Sequence, residues 1–373
     1  MTRNNDPLLL TPGPLTTSVE TKQAMLHDWG SRDTAFLNVD AAIRDRLTAI
    51  AGASRSHVCV PVQGSGTFAV EATIGTLIPP GGKALVLVNG AYGQRMVRML
   101  EIMAIDHQIL KTSEDVPPDP GAVDAVLAED TTIGHVLAVH CETTSGIANP
   151  IEEIAYAVDR RGRALIIDAM SAFGALPLDA RKVPFEALVA SANKCLEGVP
   201  GLAFAIIRKR ALASAQGNAR SLSLDLHDQW VNFRKTGQWR FTPPTHVIMA
   251  LNAALDQFDA EGGVAGRNAR YSSNCKALID GMCRLGFETL LPDDLQAPII
   301  VTFKMPTDPR FDFQTFYDAL HARGYVIYPG KLTVADSFRM GCIGHLTEDD
   351  MQNAVQTVET VLAQLGVTSP APR

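Results

Sequence analysis

Near-continuous apolar runs recur along the first half of this chain: HVCVPV (57–62), ALVLV (84–88), HVLAVH (135–140) and RALIID (163–168). LVASAN (188–193) and LAFAIIR (202–208) add two more. Between most of them lie helical patterns, GTFAVEATIGTLI, QRMVRMLEIM and IEEIAYAVDRRG. A strand with one wet face alternates polar and apolar residues; these runs do not, so both faces are expected to be covered. Short buried strands alternating with helices predict an α/β fold with a mostly parallel sheet.

The pattern changes after about residue 210. RSLSLDLHDQWVNF and PTHVIMALNAALDQFDAEGG read as helical, and GVAGRNARYSSNCKALIDGMCRLGF reads as a long helix joining two domains. From Ala297 onward, PIIVTFK, a helix near 313–323, GYVIYPG, DSFRMG and a last helix at 347–365 predict a smaller α+β unit. The expected division is an N-terminal segment (1–20), a large domain (21–260), a small C-terminal domain that includes the connecting helix (261–366) and a structureless tail (367–373). At the N-terminus, LLLTPGPLTTS leads into a helix expected over Ser18–His27, with Ser18 as its cap. Val39, Ile43, Leu47 and Ile50 mark a second helix, stopped by Gly52.

A net charge of −7 and a pI near 5.7 argue against nucleic acid or an anionic membrane as partner. Six scattered cysteines include no CxxC and no Cys/His set with zinc spacing, so neither a disulfide framework nor a metal is expected. There is no signal-peptide pattern, and no apolar stretch reaches the ~18 residues of a membrane span. These features fit a cytoplasmic enzyme.

In an open α/β sheet, ligands bind beyond the carboxyl ends of the strands. After HVCVPV comes QGSGT (63–67), where Ser65, Gly66 and Thr67 open a helix. Glycine admits an anion to the backbone and hydroxyls add donors at the positive helix end, although a GSG is equally a plain tight turn. The stretch lacks the last glycine of GxGxxG and the GK[ST] of a P-loop, which disfavours dinucleotides and nucleoside triphosphates. After ALVLV, Tyr92 in NGAYGQR offers a ring to stack on a ligand, or a half-buried surface tyrosine. After HVLAVH, Thr143 and Thr144 in CETTSG offer hydroxyls, or local turn bonds. Asp168 ends its strand as a desolvated carboxylate that needs a cation or an N–H, with a backbone turn as the alternative. Lys194 in SANKCLEGVPG follows the next strand. Alone it would be a snorkelling surface lysine; desolvated, it is an amine able to attack a carbonyl. An anion cradle, a stacking ring, a hydroxyl, a carboxylate for a ring nitrogen and an amine for an aldehyde together match what pyridoxal 5'-phosphate requires. A non-enzymatic anion-binding protein remains the alternative on these residues.

With these pieces in place, the chain resembles the class V aminotransferases of pyridoxal-phosphate fold type I. The similarity runs from LLLTPGPLTTSVETKQAML through QGSGT, NGAYGQRM, HCETTSG, DAMSAFG, SANKCLEGVPG, SLSLDL, WRFTPPTH and YPGK to FRMG. The DAMS and SANK pieces mark the broad class; LLLTPGPLTTS, and SANKC with WRFTPPTH, are similar to the members that use 2-aminoethylphosphonate and pyruvate. The resemblance implies transfer of an amino group between those two, giving phosphonoacetaldehyde and L-alanine. Related members that use alanine or serine with glyoxylate are the alternative. A cysteine desulfurase is disfavoured, since Tyr92 replaces the histidine stacker and Cys342 is embedded in MGCIG. By resemblance, Lys194 would carry the cofactor as a Schiff base and act as catalytic base, and Asp168 would pair with the ring nitrogen. Ser65, Gly66 and Thr67 would hold the phosphate, Tyr92 would stack, Thr143 would face the ring hydroxyl side, and Asn193 would precede the lysine. Thr242, in WRFTPPTH, would reach the cofactor of the neighbouring subunit in a homodimer. Arg339, in DSFRMG, would bind the substrate's acid group, with Trp29 and Arg32 near the entrance.

Overall fold

A computed structural model describes residues 6–333 and 335–372. Its centre is a seven-stranded sheet in the order His57–Gln63, Leu202–Arg208, Ala187–Ser191, Ala164–Asp168, Ile133–Val139, Lys83–Val88, Asp106–Lys111. Leu202–Arg208 is antiparallel to both of its neighbours and the remaining pairs are parallel. The other six strands therefore point the same way, and the loops after His57–Gln63, Lys83–Val88, Ile133–Val139, Ala164–Asp168 and Ala187–Ser191 all open at one edge.

The apolar runs are buried on both faces, as their lack of alternation requires. Val86, Leu137, Ile166, Val189 and Ala205 join one core, while Leu85, Leu87, Val136, Leu165, Leu188 and Phe204 join the other. Removing each large apolar side chain from water contributes about 1.5–3 kcal/mol. The strand Asp106–Lys111 and the helix Pro120–Glu129 are not in the sequence reading. The strand sits at the sheet edge with a partly exposed polar sequence, DHQILK. The helix did carry a signal, Asp119 capping a Pro at its start.

The N-terminal helix is shorter than expected, Val19–Gln23, capped by Ser18 Oγ accepting from Thr21 N at 3.0 Å. The second spans Thr34–Ile50 and ends before Gly52 at φ +62°. Residues 220–225 are not helical; that helix runs Leu226–Thr236 behind its Asp225 cap. The helix Gly263–Leu285 bridges two cores. Tyr271 packs with the sheet core, and Cys275, Leu278 and Met282 pack with a third core.

That third core surrounds the antiparallel strands Ile300–Lys304, Ser337–Gly341 and Tyr328–Pro329 and the helix Glu348–Leu365. The N-terminal segment belongs to it: Leu8–Leu9 pairs in parallel with Tyr325–Val326, and Leu10 is fully buried there. The tail, expected without structure, lies along Thr307–Arg310. Thr368 N donates to Asp308 Oδ2 at 3.2 Å, and Thr307 N donates to Ala371 O at 3.3 Å. No described helix is long and apolar enough to cross a membrane.

Candidate active site

Seven of the residues singled out above line one cavity of about 180 Å³ at the common strand edge: Ser65, Gly66, Thr67, Tyr92, Asp168, Asn193 and Lys194. Asp168 ends its buried strand and the other six follow theirs by two to four residues, so the sheet register brings them together.

Lys194 is turned inward. Its Nζ donates to the carbonyl of Pro12 at 2.6 Å, so the N-terminal segment closes over it. Burial holds the ammonium below the ordinary lysine range, with Tyr92, Cys195 and Asp168 opposing the shift. Asp168 ends its strand buried, one oxygen accepting from Met170 N at 3.0 Å. The backbone turn weighed in the sequence is therefore present, and the carboxylate lines the cavity as well. Burial pushes this carboxyl up to about 6.

Ser65 is the N-cap of the helix Gly66–Leu77, but its hydroxyl makes no capping bond. The helix start therefore presents free backbone N–H groups and a free hydroxyl to the cavity, the usual arrangement for an oxyanion. Arg95, which the sequence reading did not single out, donates to Thr67 Oγ1 at 3.2 Å, and its guanidinium lies 4.9 Å from the Tyr92 ring centre. It stands one helical turn after Tyr92, an i, i+3 spacing visible in NGAYGQR.

Glu142 was also missed. It is fully buried and accepts from Tyr92 N at 3.1 Å, Thr144 N at 3.0 Å and Thr144 Oγ at 2.6 Å. Burial raises its pKa against those bonds. The carboxylate fixes the start of the tyrosine-bearing helix, and a Cβ on Gly90 would strike it. Nothing local in HCETTSG reveals a partner fifty residues upstream.

Thr143 and Arg339 meet beside the cavity without lining it. Arg339 Nη1 donates to Thr143 O at 2.8 Å and Nε donates to Pro329 O at 3.1 Å. Among the described residues no carboxylate lies within ion-pair distance of Arg339, although the side chain is buried. Burial lowers its pKa, with Tyr92, Tyr328 and Glu142 acting in the other direction. The Thr143 hydroxyl is buried without a partner, as is that of Ser191, which lines the cavity. Thr242 lies elsewhere, exposed, in a second cavity of about 290 Å³ with Gln63 and Phe68. The two cavities flank the same QGSGT turn. Trp29 and Arg32 do not line the lysine cavity.

The cradle, the buried carboxylate, the low-pKa amine and the orphan hydroxyls fit a phosphate-bearing pyridine aldehyde. The carboxylate suits a protonated ring nitrogen, and the phosphate would offer acceptors to the helix end and to Arg95.

Comparison with known proteins agrees. A family model described as aminotransferase class-V matches residues 22–334. A protein of Pseudomonas putida named 2-aminoethylphosphonate–pyruvate transaminase is 56% identical over 364 residues, covering 98% of this chain and 99% of the relative. One of the same name from Pseudomonas aeruginosa is 53% identical over 366 residues, covering 98% and 99%. Among solved structures, pyridoxamine–pyruvate aminotransferase from Mesorhizobium loti superposes with a TM-score of 0.87 at 25% identity, covering 97% of this chain and 93% of its own. Ureidoglycine–glyoxylate aminotransferase from Bacillus subtilis gives 0.89 at 20% identity, covering 98% and 95%. Sequence and fold lead to one conclusion: this chain belongs to the class V aminotransferases.

Proposed function

We propose that the chain is a pyridoxal-phosphate-dependent transaminase that moves the amino group of 2-aminoethylphosphonate to pyruvate, yielding phosphonoacetaldehyde and L-alanine. The observation that carries the reading is the shared cavity in which Lys194 and Asp168 stand with the helix start at Ser65–Thr67. The choice of donor and acceptor rests on relatives of that name at 53–56% identity over nearly the whole chain.

When bound, the cofactor supplies an aldehyde that condenses with amines and a cationic ring that accepts an electron pair. The chain supplies the rest. Ser65, Gly66 and Thr67, with Arg95 behind them, hold the phosphate at the helix start. Tyr92 covers one ring face, its backbone pinned by Glu142. Asp168, ionised beside a cation, is the counter-charge that keeps the ring nitrogen protonated. The Thr143 hydroxyl is free to serve the ring hydroxyl side. Burial leaves a larger share of Lys194 as neutral amine, fit to attack a carbonyl carbon. With its amine free, Lys194 Nζ would act as the general base that takes a proton from the substrate carbon next to nitrogen, and as the resulting ammonium would be the acid that gives that proton up to the carbon on the cofactor side. Arg339 binds the acid group. It is held in place by backbone carbonyls alone, and its planar fork accepts carboxylate or phosphonate, as two half-reactions in one pocket require. Thr242 serves the phosphate of a second subunit in a homodimer.

The test is spectroscopic. The purified protein should be yellow, 2-aminoethylphosphonate should bleach its visible band and pyruvate should restore it; Lys194→Ala should lose both the band and turnover. Alanine, serine and glyoxylate serve as competing substrates. Preference for any of these over 2-aminoethylphosphonate would displace the donor assignment, and turnover retained in Lys194→Ala would remove the lysine from its role.

A further inference from the structure

The helix Gly263–Leu285 turns a polar face inward. Arg267, Arg270, Tyr271 and Asn274 follow the i, i+3, i+4, i+7 spacing of one helical stripe. Such a stripe, when packed inward, is ordinarily apolar. Here Arg267 is 1% exposed, and Tyr271 and Asn274 are fully buried. Their partners fall mainly in two loops. Arg267 donates through Nη1 to the carbonyl of Cys195 and through Nε to Glu261 at 2.6 Å. Tyr271 donates to Glu197 Oε1 at 2.6 Å and accepts from Gly344 N at 3.2 Å. Asn274 donates to the carbonyls of Cys342 and Leu346, both at 3.1 Å.

Arg270 reaches both loops at once. Nη2 donates to Glu197 Oε1 at 2.7 Å, and Nη1 donates to the carbonyls of Gly344 at 2.6 Å and Leu346 at 2.9 Å. Nε donates to Glu261 at 2.6 Å. Only a planar guanidinium serves four such acceptors together.

The first loop begins at Lys194. Glu197 N donates to the carbonyl of Lys194 at 2.8 Å, and Glu197 stands at φ +60°, a region that L-residues avoid. A strained residue persists where its surroundings over-determine it, and here a buried carboxylate with three cationic or hydroxyl partners does so. The second loop follows the strand Ser337–Gly341, which carries Arg339. The amine follows a strand of one sheet and the acid-binding guanidinium stands on another; Arg270 ties the loops beside them through three hydrogen bonds, with the Tyr271 hydroxyl bridging Glu197 and Gly344 N next to it.

We propose that Arg270 is a positioning residue that fixes the separation of Lys194 and Arg339 by tying Glu197 to the carbonyls of Gly344 and Leu346. The inference rests on the roles given to Lys194 and Arg339 above. Arg270→Lys keeps the charge but satisfies one loop at a time. Hydrogen exchange of the protein should then rise in residues 192–198 and in residues 340–347 together. Glu197→Ala, which cuts one end only, should raise exchange in 192–198 alone. Single-turnover bleaching by 2-aminoethylphosphonate is compared with bleaching by n-propylamine, an amine without an acid group. A separation that drifts by about 1 Å should lower the ratio of the two rates roughly 10-fold or more in both variants. Equal loss for both amines would mean a merely structural role, and unchanged exchange in either loop of Arg270→Lys would mean no tie; each overturns the proposal. If neither amine bleaches the wild-type protein, the reading of the site has failed, and the exchange pattern then decides the tie by itself.

Discussion

Asp168 shows how the fold prepares a residue at a cost. Its carboxyl is buried with one backbone N–H as partner, and burial moves it from 3.8 up to about 6. Between those values the folded protein holds a proton that the unfolded chain has released. Stability therefore falls as pH rises through that window and levels off above it, by about 3 kcal/mol in total. Asparagine still accepts the Met170 N–H and never ionises. For the cofactor-free protein, Asp168→Asn should match wild type in urea unfolding near pH 3.5 and exceed it at pH 7 by about that amount, while losing most of its turnover. A variant no more stable than wild type at pH 7 would show that the carboxylate is solvated after all. A ring cation across the cavity would supply the counter-charge that the apoprotein lacks, so the same energy would favour binding.

Elements explain why some of the site was legible in sequence and some was not. Ser65, Gly66, Thr67, Tyr92, Asp168 and Lys194 each follow a buried apolar run, and the parallel arrangement sends all those ends to one edge; reading the strands located the loops. Arg95, Glu142 and Arg270 each also act through partners 28 to 76 residues away in sequence, and beyond the Tyr92–Arg95 spacing no local pattern encodes those distant pairings. The edge strand Asp106–Lys111 was missed because its sequence lacks the apolar continuity of the inner ones. The N-terminal segment also departs from its reading as a separate lead-in. It pairs with Tyr325–Val326 and sets Pro12 O against the lysine. Gly13, at φ +122°, is the next residue, and a Cβ there would stand 2.6 Å from Cδ and Nζ of Lys194. Gly13→Ala combines a forbidden backbone angle with that collision. It should destabilise the fold by about 1–3 kcal/mol and reduce cofactor retention, read as visible absorbance per protein, roughly 10-fold. Normal retention would show that the segment yields freely and does not position the amine.

At the scale of the whole molecule, the single chain leaves Thr242 without a task. Thr242 faces a cavity on the far side of the QGSGT turn from Lys194, and the surface near it carries half-exposed Phe68 and Phe241 and a largely exposed Leu222. Clustered exposed aromatics mark surfaces that a partner covers, and a two-fold pairing would use the same patch on both copies. If Thr242 serves the neighbour's phosphate, the two defects Lys194→Ala and Thr242→Ala belong to different sites of the dimer. In a mixed dimer, the subunit carrying Thr242→Ala keeps its own Lys194 and receives an intact Thr242 from its Lys194→Ala partner, so one complete site reappears. Mixing the two weakly active or inactive proteins under exchange conditions should therefore restore turnover toward half the wild-type value per mixed dimer. Were Thr242 to act within its own chain, that subunit would remain defective and mixing would add nothing. An affinity tag carried by one variant alone, with the untagged variant co-purifying on it, checks that exchange took place, so an unchanged rate in verified mixed dimers would count against the shared site.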